Sequence, residues 1–283
     1  MTKLVTDQAD GLRRLLSNTP TRVIAVAGMR RGDGATTAAM NLGAALVHQG
    51  KDVLLIDEHR PAADSIGALW AVDPPGVLAD VAERRLTCAG AAARAACGVD
   101  VLPAPIDMSH SRIDPRTLCR GGVVLIDAAF DDEGRLSTLV QRADELVLVL
   151  QPNAASVTTA YAGIKRLHYA HGLKQLRFLV NGASSPDEAR TVMGNLANTG
   201  SRYLAVSLEP AGWVRADAHL ADARRLGQTV VEAFAASPAA VDFRRVAGDM
   251  SLWPWRMQEA STRERRMARP AAGALRATRA AVA

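Results

Sequence analysis

The sequence has few cysteines and no long apolar run, and both shortages narrow the class of protein. Its three cysteines, Cys88, Cys97 and Cys119, lack the spacing of a metal site, and an odd number fits a reducing compartment. No apolar run approaches the roughly 18 residues that a membrane span needs. The polar N-terminus also lacks the apolar segment of a secretory signal. We therefore expect a cytoplasmic protein without a membrane-spanning helix.

Most of the chain also lacks net charge. Residues 256–283 contain seven arginines and two glutamates, which supply the whole net charge of +5. The remaining body is neutral, which argues against a nucleic-acid-binding face. For the basic tail three alternatives stay open: a solvated end, a contact with anionic lipid at the inner face of the membrane, or a contact with nucleic acid.

The most informative stretch is residues 23–37, where an apolar run meets a glycine-rich turn and a helical pattern begins. This order is typical of a phosphate-binding loop, in which backbone N–H groups and a helix N-terminus face an anion. The usual pattern, G-x-x-x-x-G-K-[S/T], is only half kept. Gly34 and Thr36 match it, whereas Met29 replaces the first glycine and Ala35 the lysine. The sequence thus predicts either a working nucleotide site or the remains of one.

Further strand patterns occur at residues 52–57, 99–102, 123–127, 145–150, 176–180 and 203–208. Helical patterns separate them, at residues 77–85, 156–169 and 187–198, and a last one covers 230–247. This alternation predicts an α/β fold with one doubly wound, mostly parallel sheet and helices on both faces. Asp57 and Asp127 end two of the strands, at the edge where such sheets bind ligands. In P-loop enzymes, acids at such places hold Mg²⁺ and position the attacking water.

These features resemble the MinD/ParA group of P-loop ATPases and, within it, the FlhG (FleN) family of regulators of flagellar number and placement. The resemblance covers roughly residues 7–250. It is carried by residues 7–9 and 11–13, which match a D-Q-A-x-x-L-R element, by 41–42, 53–57 and 179–181, and by 230–234 and 237–239. We expect an N-terminal partner-binding helix over residues 1–20, a MinD-like P-loop domain over 21–250 and a basic tail over 251–283.

The resemblance implies that ATP and Mg²⁺ bind at the loop. The implied nucleotide-binding residues are Arg30, Arg31, Gly32, Asp33, Gly34, Ala35, Thr36, Thr37 and a base-contacting Asn181. The implied Mg²⁺ ligands are Thr36, Asp57 and Asp127.

Several of these positions depart from the family pattern. Ala35 replaces the lysine that binds the β- and γ-phosphates, and His59 replaces an acid that helps to activate water. Arg30 takes the place of the signature lysine that reaches across the family's dimer. Arg31 replaces a glycine, and Asp33 adds a negative charge that we expect beside the phosphates. The catalytic residues are therefore unknown, and we expect weak or absent ATP hydrolysis.

The resemblance also implies partners. In the family, the N-terminal element stimulates FlhF, a GTPase of the signal-recognition-particle type, and here it corresponds to Asp7, Gln8, Leu12 and Arg13. The resemblance further implies a homodimer. The alternative function is an active ATPase switch that dimerises with ATP at a membrane or on DNA.

Overall fold

Eight strands form a single sheet in the computed structural model, which describes residues 20–106, 113–131, 133–203 and 206–254. The strands are β1 (Arg22–Gly28), β2 (Val53–Asp57), β3 (Ala93–Arg94), β4 (Asp100–Pro103), β5 (Val123–Asp127), β6 (Glu145–Leu150), β7 (Gln175–Ala183) and β8 (Ser207–Arg215). Their order is β3-β4-β2-β5-β1-β6-β7-β8. Only the short β3 is antiparallel to its neighbour, so the predicted mostly parallel sheet is confirmed.

Helices pack against both faces of this sheet. They are α1 (Ala35–His48), α2 (Ile66–Leu69), α3 (Leu78–Ala82), α4 (Cys88–Ala91), α5 (Thr138–Gln141), α6 (Ala154–His171), α7 (Pro186–Tyr203), α8 (His219–Arg225), α9 (Val230–Ala233) and α10 (Pro238–Leu252). Side chains of β1 alternate between two core clusters, with Ile24 and Val26 in one and Val23 and Ala25 in the other. Because both faces are covered, the strands are continuous apolar runs.

The end of the fold differs from the sequence prediction in two places. The last strand was predicted at 203–208, but α7 extends to Tyr203 and β8 begins at Ser207. The sequence does not predict this strand because Pro210 and Gly212 are residue types that are uncommon inside strands. The pairing with β7 shifts register beside them. The predicted helix at 230–247 is two helices, because Ser237 caps a new one that begins at Pro238.

The predicted C-terminal boundary of the P-loop domain, residue 250, also lies too early in the chain. We placed the start of the tail at residue 251, but α10 continues to Leu252 and Trp253 is only 9% exposed within a core cluster. The Arg177 guanidinium lies 4.3 Å from the centre of a Trp253 ring, a cation–π contact that adds to the burial. The N-terminal partner-binding helix predicted over residues 1–20 lies, up to residue 19, outside the described residues, and so does the tail beyond residue 254. Within the described part of the chain, no helix is long and apolar enough to cross a membrane.

We predict that Trp253→Ala lowers the free energy of unfolding by about 3 kcal/mol, because it empties a core position and removes the Arg177 contact. The matched control is Leu252→Ala, which changes a neighbouring side chain that is 81% exposed and should stay within about 0.5 kcal/mol of the wild type. Urea denaturation measures both. Truncation after residue 254 should leave the midpoint unchanged, whereas truncation after Asp249 should lower it. Equal effects of the two alanine variants would contradict this placement of Trp253.

Candidate nucleotide-binding site

The turn between β1 and α1 forms a cradle for an anion. Gly32 and Gly34 have φ angles of +93° and +91°, a conformation that favours glycine. Gly34 is the N-cap of α1, so within the described residues no N-cap side chain bonds to the first N–H groups of that helix, and its first turn contains no acid. These unsatisfied donors and the helix dipole attract negative charge. The turn therefore presents backbone donors of the kind that bind a phosphate group.

Asp33 lies differently from the expectation. We expected its charge beside the phosphates, but the side chain is buried, accepting hydrogen bonds from the Arg30 backbone N–H (3.0 Å) and the Ser156 hydroxyl (2.8 Å). The Gln151 amide also donates to the Gly32 carbonyl at 2.9 Å. The start of α6 and the end of β6 thus hold the loop in place. Neither Ser156 nor Gln151 gave any signal in the sequence.

Asn181 also contacts the loop. Its side-chain amide donates to the Asp33 carbonyl at 3.0 Å, and a Cβ at position 34 would lie 2.2 Å from the Asn181 Nδ2. This close approach is a second reason why position 34 is glycine. Neither Asp33 nor Asn181 lines the cavity above the loop, so the base contact implied for Asn181 stays a prediction.

A cavity of about 810 Å³ opens above the loop, large enough for a nucleotide. It gathers most of the predicted site residues, namely Arg30, Arg31, Gly32, Gly34, Ala35, Thr36, Thr37, Asp57, His59 and Asp127. It also includes residues that the sequence did not indicate, namely Arg60, Asp64, Ser65, Leu69, Phe130 and Arg224. The predicted partner-binding residues Asp7, Gln8, Leu12 and Arg13 lie outside the described part of the chain.

Asp57 and Asp127 face each other across neighbouring strands. β2 and β5 are parallel, and their register pairs Asp57 directly with Asp127. Both side chains are buried. Asp57 accepts hydrogen bonds from the backbone N–H groups of His59 and Ile66, each at 3.0 Å. In the described chain neither carboxylate oxygen of Asp127 has a hydrogen-bond partner of standard geometry, and burial raises the pKa of this carboxyl.

The ring of His59 lies between these two acids. Its Nδ1 atom is 3.3 Å from an oxygen of Asp57 and 3.3 Å from an oxygen of Asp127. The contacts with Asp127 and then Asp57 raise the pKa of His59 to about 10, so the ring is an imidazolium at neutral pH. His59 therefore supplies positive charge where the family pattern has a third acid.

This arrangement does not fit Mg²⁺. The ligand atoms of Asp57, His59 and Asp127 lie within 4.8 Å of one another, but Mg²⁺ requires oxygen ligands in a nearly octahedral shell. The His59 ring takes the space between the two carboxylates, and its charge repels a cation. The implied magnesium ligands Thr36, Asp57 and Asp127 do line one cavity, yet a side chain already balances the charge of the acids.

Glu58, which lies between Asp57 and His59 in the chain, forms hydrogen bonds outside the Asp57–His59–Asp127 cluster. Its buried carboxyl group accepts hydrogen bonds from the Ser137 hydroxyl at the start of α5 and from the Ala129 backbone N–H. Burial is the main cause that raises the pKa of Glu58 to about 7. Glu58 does not line the cavity, so we assign it a structural role that anchors the segment after β2.

A glycine turn between a strand and a helix, beside two acidic strand ends of a parallel sheet, defines the class of P-loop nucleotide-binding proteins. No family model matches the sequence. The chain is 30% identical over 256 residues to the antiactivator FleN of Pseudomonas aeruginosa, covering 86% of this chain and 91% of that protein. The chain therefore belongs to the FleN family within the MinD/ParA group of P-loop ATPases, as its sequence predicted.

Solved structures agree on the fold. MinD in the MinC:MinD complex of Aquifex aeolicus superposes with a TM-score of 0.65 at 19% identity, covering 84% of this chain and 98% of that one. MinD of Pyrococcus horikoshii, solved with Mg-ADP, gives 0.60 at 22% identity and covers 81% and 96%. The fold is thus one in which other members bind a magnesium nucleotide.

We predict that His59→Ala destabilises the protein most at and below pH 6.5. The folded-state pKa of His59 is about 10 and its ordinary value about 6.5, so its stabilisation is complete below 6.5 and is lost as the pH rises towards 10. The difference in melting temperature between wild type and variant should shrink over that range. His48→Ala, which removes an exposed histidine, is the control.

The same variants test whether His59 prevents Mg²⁺ from binding between Asp57 and Asp127. Millimolar Mg²⁺ should leave the melting temperature of the wild type unchanged and raise that of His59→Ala, because the vacated space lies between two carboxylates. A wild type that Mg²⁺ stabilises as strongly as the variant would contradict our account of His59.

Proposed function

We propose that the protein is a FleN-like antiactivator that limits flagellar number or placement, and that it binds ATP but hydrolyses it poorly. The observation that carries this proposal is the match to FleN, which extends over nearly the whole length of both chains. The state of the nucleotide site supports the second part, because the backbone N–H groups that can hold phosphate are present at the start of α1, whereas the loop lysine and the acid that would promote hydrolysis are replaced by Ala35 and His59.

Binding is supported by the turn itself. The first N–H groups of α1 are free of side-chain caps, and Thr36 and Thr37 line the cavity. Backbone N–H groups at a helix N-terminus point towards the phosphate, and the helix dipole adds a favourable positive potential. The residues present therefore fit the triphosphate group of ATP, although they provide no lysine from the loop.

Poor turnover is supported by two substitutions. Ala35 cannot stabilise charge that develops on the transferred phosphoryl group, a contribution that is large in this chemistry. His59 replaces the acid that would help to activate water, and its Nδ1 is engaged by Asp57 and Asp127. A protonated ring cannot accept a proton from water, so it cannot act as a general base.

The alternative, an active ATPase switch that dimerises with ATP at a membrane or on DNA, has weaker support. Arg30 keeps a cation at the position of the signature lysine and lines the cavity. A dimer is therefore part of our proposal, but a cycle driven by hydrolysis is not.

The partner in this proposal is an FlhF-like GTPase, bound through the N-terminal element with Asp7, Gln8, Leu12 and Arg13. Gln8 is an uncharged donor and acceptor and can position a water molecule at the active site of a partner. We place the protein in the cytoplasm, with a peripheral contact of the arginine-rich tail to anionic lipid at the inner face of the membrane.

We predict ATP turnover near background for the purified wild type, measured as phosphate release with Mg²⁺. Ala35→Lys should strengthen ATP binding on the order of 10-fold, because a charge-assisted hydrogen bond contributes about 1.5–3 kcal/mol. ATP turnover should rise above background only in the double variant Ala35→Lys/His59→Asp. The single variant His59→Asp is the control. Robust wild-type turnover that Asp127→Ala abolishes would refute poor hydrolysis.

We predict that the full-length protein accelerates GTP hydrolysis by its cognate FlhF-like GTPase and that Gln8→Ala removes most of this effect. Asp10→Ala is the matched control, because residue 10 is a variable position of the element. The readout is phosphate release from GTP at fixed GTPase concentration. If wild type and both variants leave the rate unchanged, the proposed partner is wrong.

A further inference from the structure

Four arginines line the cavity above the phosphate loop: Arg30, Arg31, Arg60 and Arg224. Two of them belong to the loop, and Arg60 belongs to the segment after β2. Arg224 differs because it comes from α8, more than 180 residues later in the chain. A comparison limited to the loop motif does not find it. The cavity therefore has a cation on a wall that the motif does not include.

The charges around the cavity are partly paired. Arg31 bonds to Asp64 at 2.9 Å, and Asp57 and Asp127 both contact His59. Among the described residues, the side chain of Arg224 makes no hydrogen bond or ion pair, and it is exposed. Its neighbour Arg225 is instead paired with Asp222 on the same helix. The charge of Arg224 is thus available to a ligand.

The backbone fixes where Arg224 lies. α8 ends at Arg225, and the chain turns at Gly227 with φ +68°. A Cβ added at Gly227 would lie 3.4 Å from the Leu69 carbonyl oxygen, so the end of α8 lies close to α2. Ser65 and Leu69, at the two ends of α2, line the same cavity. Arg224 consequently stands at the α2 wall of the cavity, whereas the phosphate loop forms its floor.

We propose that Arg224 binds the polyphosphate group of the nucleotide and supplies the cation lost at Ala35. A guanidinium donates two parallel hydrogen bonds to phosphate oxygens, and an exposed arginine is always charged. The loop N–H groups hold the phosphate from the helix side, and Arg224 neutralises it from the α8 side. This inference rests on the proposed binding of ATP, and it assigns that binding to a residue outside the loop.

The test is the dissociation constant of ATP for the full-length protein, measured by titration calorimetry. Arg224→Gln should weaken ATP binding about tenfold, which corresponds to about 1.4 kcal/mol, and Arg224→Lys should retain most of the affinity. The matched control is Arg225→Gln, which changes the adjacent arginine and should bind as the wild type does. Far-UV circular dichroism and the melting temperature verify that each variant is folded.

The double variant Ala35→Lys/Arg224→Gln tests whether Arg224 takes the role of the missing loop lysine. If Arg224 replaces that cation, Ala35→Lys should make Arg224→Gln much less costly, so the two effects should be non-additive. Equal affinities of Arg224→Gln and wild type, or full additivity with Ala35→Lys, would overturn the proposal. A wild type that binds no ATP would overturn it as well. Stimulation of the GTPase by that same protein would still support the proposed regulatory function, so the two failures are distinguishable.

Discussion

The structure of the site depends on one electrostatic constraint, the pairing of Asp57 with Asp127 across β2 and β5. The two strands are parallel and in register, and neighbouring strands lie about 4.8 Å apart. Two buried carboxylates at that separation repel each other and lose their hydration, which costs several kcal/mol per ion unless partners compensate. The chain provides these partners locally: N–H groups of His59 and Ile66 donate to Asp57, and the His59 ring contacts both acids. The path of the backbone from residue 58 to residue 66 follows from this requirement, and with it one wall of the cavity.

The phosphate loop illustrates a different way to keep a turn rigid. Family loops achieve close approach of the backbone with several glycines, whereas this loop has Met29, Arg31 and Asp33 among its six residues. Asp33 compensates by bonding inward to the Arg30 backbone and to Ser156. Position 34 is still a glycine, because Asn181 packs so closely on it that a Cβ would not fit. Substitutions that look disruptive in the sequence thus preserve the shape of the cradle.

The sequence was sufficient to predict the sheet, the loop and the two acids, because each depends on a local pattern: apolar strands, glycine at a turn, and an acid where a strand ends. It did not predict that His59 would lie between the acids, because the direction of its ring depends on a turn that tertiary contacts fix. The inward direction of Asp33 depends on Ser156, more than 120 residues away. Arg224 was missed for a similar reason, since α8 follows a strand whose Pro210 and Gly212 hide its pattern.

The packing of the last described helix has a consequence for synthesis on the ribosome. α1 begins at the phosphate loop, and α10 packs against this helix, with Phe243 and Val246 in the same core cluster as the buried side of α1. Gln49, just after α1, donates to the Arg244 carbonyl. Asn41 likewise accepts from the backbone of Val230. Contacts this distant in sequence form late, because the intervening chain must first be made and its ends brought together. The nascent chain therefore carries its nucleotide loop through most of translation on a helix with an uncovered apolar side. Chaperones that hold apolar segments therefore have a long interval in which to act.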